Sequence, residues 1–325
     1  MTRTAAVVIG RNEADKLSRA LHSVLLAASP IIYVDSGSTD GSAAIADALG
    51  VEVIRLDASR PFSVARGRNE GFRRALALSP DVELVQFVDA DSEICPAWFE
   101  AARAALHADR RVAAAFGRLR ERDPGRSLFA RLYQAEFDGH FTQADACPGM
   151  SMMRGRALIE TNGFVESMAA FEDTELSSRL HRGGWKIARV DADMALHDAR
   201  MTTLGQWWRR QIRSGFARGQ ERARAAADRS RSGVRQVWSI WCWGALLPVV
   251  MLLTALPTQG WSLLLLVAYP AMALRMRHRY RRLNPAFTSP GLYAASLMAG
   301  KVPEAIGLAR YHLSRPGHTY PKVVS

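Results

Sequence analysis

Apolar and polar positions fall into two alternating kinds of run along the first hundred residues. Residues 4–10 are a short apolar run closed by Gly10. Residues 31–34 are a β-branched run stopped by Asp35-Ser36-Gly37, 51–54 a third run, and 84–88 a fourth stopped by Asp89-Ala90-Asp91. Short apolar runs bounded by turn residues predict buried strands. Between them, Leu17, Leu21, Val24 and Leu25 recur at helical spacing within 13–26, residues 42–49 are an alanine-rich helix closed by Gly50, and 63–78 read as another helix. Strands alternating with helices predict an α/β, Rossmann-like, mostly parallel sheet with helices on both faces. Ligands of such sheets sit at the carboxyl ends of strands, so the polar residues after each strand are the ones to inspect.

Charge changes the picture only past residue 200. Residues 1–200 hold 25 Lys+Arg and 28 Asp+Glu, whereas 201–325 hold 18 Lys+Arg and 3 acids, Glu221, Asp228 and Glu304. From Gln236 to Leu274 no side chain is charged. Residues 237–256 give a bilayer-length apolar stretch at roughly 1.5 Å per residue. A Pro257–Gly260 turn and a shorter apolar stretch, 261–274, follow, with Trp238, Trp241, Trp243 and Trp261 near the ends. The expectation is a 1–205 catalytic domain and a 206–325 Arg-rich helical region that carries a hydrophobic hairpin (237–256 and 261–274) and an interfacial helix at 292–308. Arginines flank the hairpin on both sides while its turn has none, which predicts cytoplasmic flanks on an anionic inner (cytoplasmic) membrane. The run 5–9 is too short for the core of a signal peptide, so the N-terminal domain is expected to face the cytoplasm. Three scattered cysteines without a C-x-x-C pair exclude a disulfide scaffold and a zinc module. Basic flanks around an apolar span, with no recognition motif, exclude nucleic acid as partner.

The first strand is not followed by G-x-G-x-x-G, and G-x-x-x-x-G-K-[ST] is absent, so a dinucleotide fold and a P-loop NTPase lose their support. Asp89-Ala90-Asp91 instead ends a buried strand, where the chain turns and both carboxylates can approach one hard cation such as Mg²⁺ or Mn²⁺. Together with Gly10-Arg11-Asn12-Glu13, Asp35-Ser36-Gly37-Ser38-Thr39-Asp40, Arg68-Asn69-Glu70-Gly71 and Phe171-Glu172-Asp173-Thr174-Glu175-Leu176, it resembles the family 2 glycosyltransferases, whose fold is GT-A. The similarity covers about residues 4–215.

The resemblance implies a metal-dependent, inverting transfer of a single sugar, hexosyltransferase-like, from a nucleotide-diphosphate sugar to a hydroxyl of a cell-surface glycan or lipid-linked precursor. It assigns Asp35 and Glu13 to the nucleotide pocket, with a UDP-sugar favoured, and Asp89 and Asp91 to ribose and the diphosphate-bound Mn²⁺ or Mg²⁺. Asp173, with Glu172 beside it, matches the catalytic base. A carboxylate pair opening a helix is favoured there by the macrodipole and tends to stay ionised. Arg68 and Asn69 are candidates for donor binding, Arg68 because guanidinium suits diphosphate. His197, ending the strand-like run 190–196, is a candidate third metal ligand, since imidazole suits Mn²⁺. Gln206-Trp207-Trp208-Arg209-Arg210 matches the Q-x-x-R-W element of processive synthases only in part, so Arg209 is assigned to the leaving diphosphate and processivity is not expected. Two readings compete. A metal-dependent nucleotidyltransferase would share the sheet and D-x-D, but carries a Gly- and Arg/Lys-rich loop where this chain has Gly10-Arg11-Asn12-Glu13. A non-catalytic membrane adaptor with a degenerate transferase domain would have no reason to retain Asp35, Asp89, Asp91 and Asp173.

Overall fold

The structure is a computed structural model of the 325-residue chain and describes residues 3–143, 146–198, 201–227 and 233–314. Two compact units divide it: Met1–Asp123, Gln143–Ser167 and Glu172–Ala199 form the first, and Pro124–Thr142, Met168–Phe171 and Arg200–Ser325 the second. The chain therefore does not make the contiguous 1–205 domain expected from composition. Residues 124–142 and 168–171 belong with the C-terminal unit. The reason for the first is apolar: in that unit Leu132 packs with Trp207 and Met201, and Ala135 with Tyr280, Phe287 and Tyr293.

In the first unit the chain runs β1 (Thr4–Gly10), α1 (Ala14–His22), β2 (Ile31–Asp35), α2 (Ser42–Ala48), β3 (Glu52–Arg55), α3 (Val64–Leu78), β4 (Leu84–Asp89), β5 (Ser92–Ile94), α4 (Trp98–Ala108) and β6 (Val112–Glu121). After the excursion through α5 (Leu128–Gln143) it returns as β7 (Met152–Arg154), α6 (Gly155–Glu160), α7 (Glu172–Arg182) and β8 (Lys186–His197). The eight strands form one sheet in the order β3-β2-β1-β4-β7-β6-β8-β5. Through β4 all pairings are parallel, as expected. Beyond it β6 and β8 are again parallel, while β7 is antiparallel to β4 and β6, and β5 to β8, so four of the seven pairings are parallel, as expected, with antiparallel strands inserted in the second half. Ala5, Ala6, Val7 and Val8 are all fully buried, which means both faces of β1 are covered. On one of them α3 comes so close at Gly71 that a Cβ there would lie 2.2 Å from Val7. The strand order reverses at β1, between β2 and β4, and in open α/β sheets such a switch point opens a crevice at the strand ends.

In the second unit, α8 (Leu204–Ala227) is followed by α9 (Val234–Trp241), a π turn over Cys242–Leu246 and α10 (Leu247–Ala255). Pro248 has no N–H to return to the preceding turn, which accounts for the local widening. Together Val234–Ala255 is the one helix among the described residues that is long and apolar enough to cross a membrane, and little of it is buried. The expected return arm is not one apolar helix. A 3₁₀ segment, Trp261–Val267, leads into α11 (Ala268–Leu283), which carries the arginine cluster. The expected interfacial helix is two helices, α12 (Pro290–Ala299) and α13 (Lys301–Leu313). α13 is packed against α8 through glycines: a Cβ on Gly215 would sit 1.9 Å from the Glu304 carbonyl oxygen, and one on Gly307 1.9 Å from that of Ile212.

Candidate active site

The register of the parallel strands aligns the polar strand ends. Asp35, last in β2, is opposite Gly10, and Asp89, last in β4, is opposite Ile9, so both carboxylates flank the end of β1. Gly10 is needed there because a Cβ would lie 2.6 Å from that of Ala90. Asp35 is 4% exposed, and its Oδ2 accepts the N–H groups of Gly37 and Ser38 at 3.1 and 2.9 Å while Oδ1 accepts the Tyr33 hydroxyl. Gly37, at φ +78°, supplies the left-handed turn. The loop after β1 is laced to this one: Asn12 N–H donates to Ser38 Oγ and Thr39 N–H to Asn12 Oδ1, while Glu13 N–H donates to Ser42 Oγ. Glu13 opens α1, and its carboxylate lies 3.8 Å from the buried Lys16 ammonium.

Arg68 is the centre of the site. It is buried on α3, with its guanidinium 5.5 Å over the Phe164 ring. Nη2 reaches Asp89 Oδ1 at 3.1 Å and Nη1 reaches Glu172 Oε1 at 2.7 Å. Burial disfavours the guanidinium charge, but Asp89, Glu172 and Asp173 outweigh it and hold the group firmly protonated. Gly149 leaves room for it, since a Cβ would stand 2.2 Å from Nη1. The Gly149 N–H donates to Asp173 Oδ2 at 3.2 Å, and Asp173 Oδ1 accepts from Thr174 N–H in the first turn of α7. Burial and the adjacent Asp173 push the Glu172 carboxyl above its ordinary range, with Arg68 opposing.

Asp91 forms the other cluster. Its Oδ2 is 3.4 Å from His197 Nε2, and His197 Nδ1 is 3.0 Å from Glu121 Oε2. Burial alone would lower the imidazole pKa, but the two carboxylates push it up to about 10, and His197 in turn pulls the Asp91 carboxyl below its ordinary range.

The structure thus brings Glu13, Asp35, Arg68, Asn69, Asp89, Asp91, Glu172, Asp173 and His197 into one unit. Their bonding differs from expectation at three positions. Asn69 is 8% exposed, donates to Phe164 O and Glu166 Oε1, and accepts from Phe164 N–H, so both of its N–H donors are spent on the loop at 164–166. Asp89, expected as a second metal ligand, is paired with Arg68. Arg209 is exposed on α8 and belongs to the second unit. Glu121, Gly149 and Lys16 carry no motif and escape sequence reading, although a lysine three residues after Glu13 on the buried side of an amphipathic helix is a signal in retrospect. Its ammonium donates to the Asp198 carbonyl at 2.7 Å and helps to stabilise the Asp91 charge.

Among the described residues no three His, Cys, Asp or Glu side chains are arranged to hold a metal by themselves. One carboxylate oxygen and one imidazole nitrogen facing each other nevertheless fit a Mn²⁺ or Mg²⁺ whose remaining positions come from substrate phosphates and water, the usual way such ions are held.

Residues 6–160 match the family model described as Glycosyl transferase family 2. An uncharacterized glycosyltransferase of Rickettsia felis is 34% identical over 94 residues, 29% of this chain and 30% of the relative, so the match spans under a third of that protein. A mannosyltransferase of Pyrobaculum calidifontis, solved in complex with GDP-Man and Mn²⁺, superposes with a TM-score of 0.59 at 18% identity, covering 94% of this chain and 87% of that one. That likeness is one of fold.

Proposed function

Because residues 6–160 match the model of glycosyl transferase family 2, we propose that the chain is such a transferase and moves one sugar from a nucleotide-diphosphate sugar to a hydroxyl acceptor, inverting the anomeric carbon. The observation that carries the reading is the bridge made by Arg68. It ties the strand-end Asp89, beside Asp91, to Glu172, which adjoins Asp173. A metal-side carboxylate and a base on a helix start are the two poles that a single displacement needs.

In this reading the laced loops at Asp35 and Glu13 receive the nucleoside. Asp91 and His197 would hold Mn²⁺ or Mg²⁺, which supplies charge neutralisation on the departing diphosphate when bound. Asp173 accepts the proton of the acceptor hydroxyl. The acceptor oxygen bonds to the anomeric carbon, the bond from that carbon to the phosphate oxygen breaks, and the electron pair leaves with the nucleoside diphosphate. Gly149 N–H, by donating to Oδ2, aims the Asp173 carboxylate at the start of α7. The fold neighbour's GDP-Man and the sequence's lean to uridine make both nucleotides the first to test.

The apolar helix Val234–Ala255 supports a membrane location, with the arginines of α8 and α11 on an anionic cytoplasmic face and a lipid-linked or surface-glycan acceptor within reach.

The test is Asp173→Asn, assayed for nucleoside diphosphate release with water as a slow acceptor and for donor affinity by calorimetry. A general base contributes about 10²–10⁴ in rate, so release falls by that factor while donor affinity stays within threefold. Equal loss of both would make Asp173 structural.

A further inference from the structure

Glu121 ends β6 and is 6% exposed, an uncommon place for a carboxylate unless something holds it. Register explains what does. After two irregularities, between Phe116 and Leu119, β6 and β8 pair so that Glu121 stands directly opposite His197. On its other side β8 pairs with β5, which puts His197 opposite Ser92, the residue after Asp91. Glu121 and His197 thus stand side by side on adjoining strands, with Asp91 one residue before the Ser92 that faces His197 from β5. Backbone bonds fix this arrangement at both ends: Arg122 N–H donates to the His197 carbonyl at 2.7 Å, and Asp198 N–H to that of Asp91 at 3.0 Å.

We propose that Glu121 is the positioning residue of the metal site. By accepting the Nδ1 proton of His197 at 3.0 Å, it fixes the ring orientation with Nε2 towards Asp91, and it keeps the proton on Nδ1 when a cation takes the place of the one on Nε2. An imidazole has two nitrogens, and the hydrogen bond made by one decides which of them is available to a cation. A carboxylate on the far nitrogen also makes the near one a stronger donor. The inference rests on the metal reading above and adds to it a residue that never touches the cation. A mere strut between strands would need the same contacts, so the test has to separate affinity from stability.

The full chain in detergent is titrated with Mn²⁺ at saturating UDP, and in a parallel series at saturating GDP, with free Mn²⁺ followed by its paramagnetic resonance signal. Melting is recorded without metal. Glu121→Ala is expected to weaken Mn²⁺ binding by about 10- to 100-fold, the range for loss of such a partner. Glu121→Gln, whose amide oxygen still accepts from Nδ1, recovers most of that loss, and its melting temperature stays near that of the wild type. If Glu121→Ala does not fold, Glu121→Asp takes its place, since the shorter arm withdraws from Nδ1 and is expected to weaken binding in the same sense. Should the folded Glu121 variants bind Mn²⁺ within twofold of the wild type while Asp91→Asn does not bind, Glu121 is a strut and only this inference falls. A wild type that binds no Mn²⁺ with either nucleotide overturns this inference and the metal reading together.

Discussion

Arg68 Nη1 lies 2.7 Å from Glu172 Oε1 across 104 positions of the chain. Its other nitrogen holds Asp89, so one buried cation neutralises carboxylates from a strand end and a helix start. Removing one partner of a buried ionic set leaves charge uncompensated, at a cost of about 3–5 kcal/mol. Arg68→Met is expected to lose that much in urea unfolding. Arg68→Lys, with one compact ammonium for two carboxylates, is expected to fall between it and the wild type. A stability unchanged in Arg68→Met would mean that the bridge contributes nothing.

Gly149→Ala places a methyl where the guanidinium now lies, 2.2 Å from Nη1. Because Arg68 is held on two sides, the expected result is overpacking of about 1–3 kcal/mol. Turnover should fall more steeply than stability, since the same residue's N–H aims Asp173. Parallel crystal structures of variant and wild type check whether the guanidinium has moved.

Asn69 distinguishes two accounts. If its amide serves only the 163–166 loop, Asn69→Ala leaves buried Phe164 groups unpaired and costs about 1–3 kcal/mol. Nucleotide affinity by calorimetry then stays within threefold. A tenfold loss of affinity at full stability would return Asn69 to the donor pocket.

Glu166 gives a pH test away from the metal. Burial raises its carboxyl pKa, but Asn69, Arg73 and Arg60 outweigh burial and hold it below the ordinary 4.5. A depressed folded pKa means that the stabilisation is present above the unfolded value and disappears as pH falls through the folded one. Glu166→Gln is therefore expected to cost about 1 kcal/mol at neutral pH, as suits a partly exposed charged cluster. The two proteins converge in acid, below the folded pKa. Parallel stability curves from pH 7 to 3 would contradict the assignment.

Leu252 and Leu253 are 66% and 74% exposed on the apolar helix. If lipid covers them, Leu253→Arg, near the end of the span, costs less than the roughly 2.5–3.5 kcal/mol of an arginine at the helix centre, and the double Leu252→Arg, Leu253→Arg variant shifts from the membrane to the soluble fraction on centrifugation. Truncation at 236 is a poorer test, because it also strips α13 from α8. An unchanged membrane fraction for the double Leu252→Arg, Leu253→Arg variant would remove lipid as the partner.

Local chemistry made half of this molecule readable. β1, β2 and β4 are apolar runs stopped by Gly10, Asp35 and Asp89, and the three stops come together because parallel strands end on the same side. What escaped depends on distant register. Glu121 meets His197 only because β6 and β8 slip past each other at irregularities that no spacing records. The motif around Asn69 points to a donor ligand, while the groups that its amide bonds lie 95 and 97 positions away. The assignment of residues 124–142 to the C-terminal unit was hidden for a similar reason. Their apolar side chains fit Trp207 and Tyr293, far downstream, and nothing near them in the chain points there.

Thermal shift of the wild type and Asp91→Asn with UDP or GDP, each with and without Mn²⁺, probes the account at its root. The account predicts that a nucleoside diphosphate raises the melting temperature of the wild type only when Mn²⁺ is present, and that Asp91→Asn shows no such rise. Equal stabilisation of both proteins, or stabilisation indifferent to Mn²⁺, would contradict it.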